Sequence, residues 1–336
     1  MEDLGKITIV VPVYNELDVL PEFHRRLSQV LQGLGMQREI VYVNDGSTDG
    51  SLSLIEHLHL TDPTVAVLDL SRNYGKEIAM TAGLDIADGD VVVVIDADLQ
   101  DPPELIPELV RQWRAGFDVV YAKREAREGE SVLKRSTAYL FYRVMQGVSR
   151  VKIPEDTGDY RLLSRRAVEA LRSFREQHRF MKGLFTWIGY PQHAVPYRRE
   201  CRHAGKTKWG YWKLWNFALE GITSFTTAPL RISTYVGLLT ALAAFAYGTF
   251  IAVRTLLFGN PVPGYPSLIT IILFLGGAQL TAIGVLGEYV GRIFNETKRR
   301  PLYFVNKYEP CSTHLASLRS APPAQVPYRI APIGTG

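Results

Sequence analysis

Two carboxylates and an amide stand together where a strongly apolar segment of the chain ends. Residues 91–95 are all β-branched, and Asp96, Asp98 and Gln100 follow them at alternate positions. Such a run predicts a strand buried on both faces, in the middle of a parallel sheet. Ligands of open α/β sheets bind beyond the carboxyl ends of the strands. Oxygen atoms in that place suit Mg²⁺ or Mn²⁺ carrying a substrate diphosphate, although an acidic solvated turn has the same composition.

The elements that must hold these groups alternate between strand and helix over residues 6–121. This alternation predicts an α/β fold with a mostly parallel sheet. Two other predicted strands also end in polar groups, Tyr14 and Glu16 after the first and Asp45 after the second. No Gly-x-Gly-x-x-Gly follows the first strand and no full Walker motif occurs, which disfavours nicotinamide and P-loop sites. The pattern favours a nucleotide and metal crevice without a glycine cradle.

Composition limits the classes of protein that this chain represents. Its 336 residues carry a formal net charge of +4, which is too small by itself to indicate nucleic acid as a partner. Cys201 and Cys311 cannot form a disulfide framework, so we expect a reducing compartment. The chain passes from Met1 directly into a predicted strand, so no cleaved signal peptide is expected. Among the histidines, only His57 and His59 are close in sequence, and their spacing does not predict a zinc site.

Two segments, 232–253 and 265–287, contain no Asp, Glu, Lys or Arg. Each exceeds the roughly 20 apolar residues that cross a bilayer as a helix, which predicts two transmembrane helices. A buried helical hairpin in a soluble core is the alternative. Basic residues flank the pair on both outer sides, whereas the loop between the spans offers only Arg254. We therefore expect the catalytic domain and both termini to be cytoplasmic in a multi-pass protein of the plasma membrane.

Segments on the membrane side of the predicted domain combine basic and aromatic residues. The stretch 131–148 has an apolar stripe beside basic residues, which suits either a membrane-surface helix or a helix packed on the domain. Residues 209–217 contain three tryptophans just before the first span, as in an interfacial anchor, with core packing as the alternative. The expected organisation is a catalytic domain, a juxtamembrane helix, a transmembrane hairpin and a cytoplasmic tail with a mobile end, over residues 1–208, 209–230, 231–290 and 291–336.

Four motifs in register carry a family resemblance. They are Val-Val-Pro-Val-Tyr-Asn-Glu at 10–16, Val-Asn-Asp-Gly-Ser-Thr-Asp at 43–49, Asp-Ala-Asp-Leu-Gln-Asp-Pro-Pro at 96–103 and Gly-Asp-Tyr-Arg at 158–161. Together with the two spans, they resemble the family-2 inverting glycosyltransferases of the dolichyl- and polyprenyl-phosphate type, especially the bactoprenol glucosyltransferase branch. The resemblance extends over residues 6–308.

The resemblance implies a GT-A (Rossmann-like) nucleotide-sugar domain, a divalent metal, a nucleoside-diphosphate sugar donor and a polyprenyl phosphate acceptor. It also implies roles for individual residues. The nucleobase would lie on Asp45, and the nucleotide site would be lined by Pro12, Tyr14 and Glu16. Metal and diphosphate would be held by Asp96, Asp98 and Gln100, the catalytic base would be Asp159, and the acceptor phosphate would lie near Arg124, Arg135 and Arg202.

The chemistry of the reaction refines two of these roles. A phosphate monoester is already ionised near neutrality, since its second pKa is about 6, so a general base is hardly required. We therefore expect Asp159 to position the acceptor or the sugar, unless it only caps a turn. Two anions must meet, and Arg124, Arg135, Arg202 and Lys206 are cations able to neutralise them, although each could equally face lipid headgroups. Lys76 lies near the donor motifs, or is merely a basic residue at a helix start.

The resemblance favours UDP-glucose as donor, with GDP-mannose or a UDP-aminosugar such as aminoarabinose as alternatives. A processive polysaccharide synthase would need a longer membrane channel and a Gln-x-x-Arg-Trp motif, which this chain lacks. A catalytically silent membrane scaffold is the reading from a different class, but it gives no reason to keep these carboxylates together. The resemblance and the small residues of the second span also make a homo-oligomer, such as a tetramer, plausible.

Overall fold

The computed structural model describes residues 5–124, 157–177, 179–197, 228–258 and 264–312. Its centre is one eight-stranded sheet. The predicted strands form close to their expected bounds, and the sheet gains further strands that local periodicity did not reveal. In chain order the strands are β1 (Lys6–Val13), β2 (Gln37–Asn44), β3 (Val65–Leu70), β4 (Val91–Val94), β5 (Val119–Arg124), β6 (Thr157–Ser164), β7 (Gln192–Tyr197) and β8 (Val305–Glu309).

The order across the sheet is β7-β5-β6-β4-β1-β2-β3-β8. Strands β1 to β4 run parallel to one another, and β7 is parallel to β5. Strand β6 lies between β4 and β5 and is antiparallel to both. Strand β8 is antiparallel to β3 at the opposite edge. The mostly parallel α/β sheet expected from the sequence is therefore confirmed.

Helices cover both faces of the sheet. Apolar side chains alternate along β1, so that Ile9 packs into the core on one face and Val10 into the core on the other. Helices α1, α2 and α4 contribute to the first core, and α3, α5 and α6 to the second. Their bounds are α1 (Leu20–Gln32), α2 (Ser51–Thr61), α3 (Lys76–Ile86), α4 (Ile106–Arg114, after a 3₁₀ turn at Pro103–Leu105), α5 (Arg165–Ser173) and α6 (Met181–Trp187).

Helix α3 lies unusually close to the sheet. A Cβ added at Gly83 would meet Val10 Cγ1 at 2.3 Å and Val43 Cγ2 at 3.0 Å. Only glycine therefore fits at this contact, because real Cβ atoms do not approach other heavy atoms so closely. The close packing fixes the helix that carries Lys76 at its first turn.

Two long apolar helices follow the catalytic domain, α7 (Ala228–Phe258) and α8 (Tyr265–Thr297). Both are long and apolar enough to cross a membrane, and their most apolar windows have no residue buried inside the molecule. Large apolar side chains such as Phe245 and Leu280 are 77% and 71% exposed. A hairpin buried in a soluble core, the alternative considered from the sequence, is therefore not what the structure shows.

The chain after α8 returns to the catalytic domain. Strand β8 pairs with β3, and Tyr303 Oη donates a hydrogen bond to Asp85 Oδ2 at 2.8 Å. At the last turn of α8, the Gln177 backbone N–H donates to Glu296 Oε1 at 2.7 Å. The sheet is therefore completed by residues that the sequence assigned to a separate tail.

Several sequence-based predictions concern segments outside the described residues. The basic stretch 131–148, residues 209–227 of the predicted juxtamembrane segment 209–230 and the end of the tail belong to this group, whereas residues 228–230 form the start of α7. They stay predictions.

Candidate functional site

The polar groups that follow the strands meet at one edge of the sheet. Asp45 follows β2 and Asp96 lies just beyond β4, both at carboxyl ends. Strand β6 is antiparallel, and its Arg161 pairs with Val94 at the end of β4. Asp159, two residues earlier in β6, therefore lies beyond the end of β4. There it shares the Lys76 ammonium group with Asp96. The reading in which Asp159 caps a turn is wrong, because Asp159 is part of a strand.

Lys76 joins Asp159, the predicted catalytic residue, to Asp96, a predicted metal and donor ligand. Its Nζ donates to Asp96 Oδ2 at 2.7 Å and to Asp159 Oδ2 at 2.6 Å. Although burial acts to lower it, the charges of Asp159 and Asp96 raise the pKa of Lys76. The side chain is still 41% exposed, so a ligand entering the crevice can reach it. Lys76 therefore bridges these two carboxylates, and its contact with the donor stays a prediction.

Asp159 combines a negative charge with an unpaired oxygen atom. Although burial acts to raise it, Lys76 and Lys182 lower the pKa of Asp159, so the group is a carboxylate at neutral pH. One of its oxygens, Oδ1, is buried and has no hydrogen-bond partner among the described residues. A buried, unpaired carboxylate oxygen is costly unless something donates to it. A substrate hydroxyl is one group able to do so.

Three charged residues that interact electrostatically with Asp159 were not among the predicted site residues, namely Glu77, Arg161 and Lys182. Burial lowers the pKa of Lys182 and, despite the Asp159 charge, lowers that of Arg161 to about 10. Burial and the Asp159 charge raise the pKa of Glu77 to about 7. Arg161 donates to the Gly158 carbonyl at 2.8 Å. The available signals were the sequence Arg-Phe-Met-Lys-Gly at 179–183, which contains Lys182, and the position of Glu77 directly after Lys76.

Arg161 also supports the site through an aromatic contact. Its guanidinium carbon lies 3.7 Å from the centroid of the Phe185 ring on α6. Such a contact orients a cation that burial has largely removed from water. The backbone of β6 around Asp159 is thereby held on one side by α6.

The residues predicted to hold a metal fit a hard divalent cation only in part. Asp96 and Asp98 present carboxylate oxygens at the carboxyl edge, and Asp98 Oδ1 accepts the Gln100 backbone N–H at 3.1 Å. The turn is strained, because Leu99, which lies between Asp98 and Gln100, has a φ of 58°. Among the described residues, no three His, Cys, Asp or Glu side chains converge on one cation position. The described residues therefore supply at most a partial set of metal ligands, and metal binding by Asp96, Asp98 and Gln100 stays a prediction.

Asp45 links two loops at the edge of the sheet. Its carboxylate accepts the backbone N–H of Tyr74 at 2.7 Å and of Gly75 at 2.9 Å. Burial raises the pKa of Asp45, against these two hydrogen bonds. Asp45 thus fixes the loop that leads into Lys76. Each carboxylate oxygen has a second lone pair, so Asp45 can still accept a hydrogen bond from a nucleobase. That contact stays a prediction.

The predicted nucleotide-binding residues at the end of β1 lie where the loop after β1 contacts the loop after β2. Asn15 has a φ of 56°, and its Oδ1 accepts the Thr48 backbone N–H at 2.8 Å. This bond ties the loop after β1 to the loop after β2. Tyr14 is 42% exposed beside it, while Pro12 and Glu16 are partly buried. The three lie at the same edge as Asp45, as predicted, and their contacts with a nucleotide stay predictions.

Arg124 reaches the site through a short chain of hydrogen bonds. Its Nε donates to Tyr197 Oη at 3.3 Å, and Tyr197 in turn donates to the buried Asp101. The guanidinium packs against Gly158, where an added Cβ would meet Nη2 at 3.1 Å. A cation thus lies at the β6 side of the crevice. The other predicted phosphate-binding residues, Arg135, Arg202 and Lys206, lie outside the described residues.

A crevice of carboxylates and cations at the carboxyl edge of a mostly parallel sheet defines an α/β enzyme, and two helices long and apolar enough to cross a membrane follow it. Comparison with known proteins gives the family. The model of glycosyl transferase family 2 matches residues 8–172, and the model of the GtrB C-terminal hairpin matches residues 228–293. The chain belongs to glycosyltransferase family 2, with the GT-A fold, and is of the bactoprenol glucosyltransferase type.

Two relatives agree with this assignment, and one solved structure is given after them for comparison only. The SfII prophage-derived bactoprenol glucosyl transferase of Shigella flexneri is 51% identical over 302 residues, which are 90% of this chain and 98% of that protein. An uncharacterized glycosyltransferase of Synechocystis is 50% identical over 301 residues, 90% of this chain and 95% of that protein. A solved glucosyl-3-phosphoglycerate synthase from Mycobacterium tuberculosis is 20% identical with a TM-score of 0.48, covering 65% of this chain and 76% of that chain. The scaffold reading is set aside, since the family is one of enzymes.

Proposed function

We propose that the protein transfers a glucosyl group from UDP-glucose to polyprenyl phosphate, with inversion at the sugar. The observation that carries the proposal is the convergence of Asp96, Asp159 and Lys76 at the carboxyl edge of the sheet. Membership of the bactoprenol glucosyltransferase type supports the choice of acceptor and sugar. The donor identity rests on that relationship alone.

In this reaction an oxygen of the acceptor phosphate attacks the anomeric carbon of the sugar. The bond between that carbon and the diphosphate oxygen breaks, and its electron pair leaves with UDP. The acceptor oxygen carries no proton that must be removed near neutral pH. Asp159, whose pKa is lowered by Lys76 and Lys182 against its burial, would therefore orient a sugar hydroxyl rather than act as a base.

Cations of the chain would balance the two anionic substrates. Lys76, partly exposed between Asp96 and Asp159, can donate to a diphosphate oxygen as negative charge develops on the leaving group. Arg124 packs against Gly158, next to Asp159, and suits the acceptor phosphate, because a guanidinium binds phosphate through two parallel hydrogen bonds. Arg135, Arg202 and Lys206 are proposed to join it.

A divalent metal, Mg²⁺ or Mn²⁺, would act as a Lewis acid on the departing diphosphate. Asp98 and Asp96 would hold it, with Gln100 beside them. Gln100 donates its backbone N–H to Asp98 and thereby orients that carboxylate. The remaining ligands would be diphosphate oxygens, because the described residues supply only a partial set.

The junction between the domain and α8 supports a site close to the membrane surface. The backbone N–H of Ser71, just after β3, donates to the Phe304 carbonyl at 3.0 Å. This contact joins the carboxyl edge of the sheet to the segment that leaves α8. If α7 and α8 cross the plasma membrane, that edge faces the headgroups where a polyprenyl carrier presents its phosphate. The catalytic domain and both termini would then be cytoplasmic.

A reconstituted assay tests the function directly. The full-length protein in detergent is mixed with undecaprenyl phosphate, Mg²⁺ or Mn²⁺, and one radiolabelled donor at a time: UDP-glucose, a UDP-aminosugar or GDP-mannose. We expect a labelled lipid with UDP-glucose only, and only with metal present. A labelled lipid from another donor would overturn the sugar assignment, and no lipid product from any donor would overturn the proposed reaction.

A further inference from the structure

A cavity next to the donor side of the crevice lies between the domain and the end of α8. It has a volume of about 600 Å³. Its walls come from the loop after β3, the segment after α5 and the last turn of α8 with the residues that follow. The lining includes Arg72, Tyr74, Gln177, Asn295, Lys298 and Arg300.

Three of these residues are cations drawn from two distant parts of the chain. Arg72 comes from the catalytic domain, whereas Lys298 and Arg300 follow the membrane-length helix. All three side chains are exposed, and the Asp45 carboxylate attracts Arg72 without forming one of the ion pairs shown among the described residues. Bringing like charges around one cavity is unfavourable unless an anion or high salt is present. The composition of the cavity therefore points to an anionic ligand.

Aromatic contacts hold two of the cations in place. The Arg72 guanidinium lies 4.3 Å from the centroid of the Tyr74 ring, and Lys298 Nζ lies 3.9 Å from that of Phe294. These contacts limit the motion of two flexible side chains, which lowers the entropy cost of binding. Gln177 and Asn295 add polar groups, and Phe304 adds an apolar wall.

The position of the cavity indicates where the anion comes from. The segment of α8 that is long and apolar enough to cross a membrane ends at Thr297, and Lys298 is the next residue. Cations immediately beyond a membrane span lie at the depth of the lipid headgroups. The apolar side chains of α8 are exposed along its length, so an acyl chain can lie against the helix below the cavity.

We propose that this cavity binds the phosphate headgroup of an anionic phospholipid of the surrounding bilayer, which bridges the catalytic domain and α8. The inference rests on the proposed insertion of α8 in the membrane, and not on the identity of the sugar. Arg72 lies two residues before Tyr74, whose backbone N–H is fixed by Asp45. A bound headgroup would therefore hold the donor side of the crevice at a constant height above the membrane.

The test uses the full-length protein in nanodiscs of phosphatidylcholine with or without phosphatidylglycerol. Bound phosphatidylglycerol is counted by native mass spectrometry, and the unfolding midpoint is recorded in parallel. Lys298→Gln and Arg300→Gln each remove one cation of the cavity. Arg299→Gln is the matched control, because it removes the same charge from the residue between them, which does not line the cavity.

We expect phosphatidylglycerol to be retained by the wild type and by Arg299→Gln, and to bind roughly fivefold more weakly to each cavity variant. Its addition should raise the unfolding midpoint of the first two proteins only. Equal retention by cavity and control variants would overturn the site. An equal rise in midpoint with inorganic phosphate would overturn the lipid as its source, and displacement of phosphatidylglycerol by undecaprenyl phosphate would assign the cavity to the acceptor instead.

Failure of this inference is distinct from failure of the proposed reaction. Lipid retention is measured without any sugar donor, so an inactive protein can still bind phosphatidylglycerol. Conversely, the labelled-lipid assay in detergent contains no phospholipid. Because Lys298 and Arg300 are exposed and lie outside both cores, their variants should keep the wild-type unfolding midpoint in phosphatidylcholine alone.

Discussion

Lys76 Nζ lies 2.6 Å from Asp159 Oδ2, although 83 residues separate them in sequence. The same nitrogen lies 2.7 Å from Asp96, so one cation keeps two carboxylates together that would otherwise repel each other. This arrangement leaves the crevice neutral enough to admit a donor diphosphate. It also places a cation where, in the proposed reaction, the leaving group would develop charge.

Replacing this lysine should impair the chemical step. Lys76→Met removes the shared cation, so we expect kcat to fall by about 10²-fold, as when one preorganised donor is removed from other active sites. The change should be measured as separate kcat and KM values for the donor, with the pH profile of each. Lys123→Met, which neutralises an exposed lysine on β5, is the matched control. Equal rates for the two variants would show that Lys76 is only structural.

Metal dependence should be traceable to Asp98. Loss of a residue that merely supports a metal ligand costs about 10- to 100-fold in affinity, so Asp98→Asn should weaken Mn²⁺ binding by at least about tenfold. Paramagnetic resonance of free Mn²⁺, titrated in the presence of UDP, measures this affinity without turnover. Chelation of the metal should abolish transfer, and added Mg²⁺ or Mn²⁺ should restore it. The control is Asp18→Asn at an exposed turn, and normal turnover of Asp98→Asn would refute the assignment.

Glu77 should make the stability of the protein depend on pH. Burial and the Asp159 charge raise its pKa from 4.5 to about 7, so the folded state binds a proton more tightly than the unfolded state does. The stabilisation is therefore complete below about pH 4.5 and is lost as the pH rises through about 7. Glu77→Gln keeps an acceptor for the Met181 backbone N–H but cannot ionise, so its unfolding midpoint should decline less over this interval.

The pH series for Glu77 uses thermal unfolding in one detergent at constant ionic strength. Glu169→Gln removes an exposed carboxylate on α5 and should keep the wild-type dependence on pH. If Glu77→Gln declines with the same slope as the wild type, another group is responsible for the loss of stability.

Gly158 should control the position of Arg124. A Cβ at this residue would lie 3.1 Å from Arg124 Nη2, so Gly158→Ala should displace the guanidinium by a few tenths of an ångström. We expect the KM for undecaprenyl phosphate to rise about tenfold, since small misplacements of binding groups are costly, while the KM for the donor stays unchanged. Gly33→Ala is the control, because its nearest neighbour is Val30 O at 3.4 Å. An increase only in the donor KM would contradict the acceptor role of Arg124.

Local sequence was sufficient for the parallel half of the sheet and for the two apolar helices. Short β-branched runs separated by helical periods produce β1 to β4 because each strand is identified by its own residues. The carboxylates Asp45 and Asp96 follow directly from those strand ends. The two apolar segments were equally clear, since more than 20 residues without a charge cannot be mistaken for a surface helix.

Only the tertiary structure decided which groups share the crevice. Strand β6 inserts between β4 and β5, and β8 returns from beyond α8 to pair with β3, because both pairings depend on contacts between residues distant in sequence. Those pairings bring Asp159 to Asp96 and close a cavity with Lys298 and Arg300 beside the catalytic domain. Local periodicity carries no information about such partners, so the sequence determined the chemical groups and the packing of the whole chain determined their neighbours.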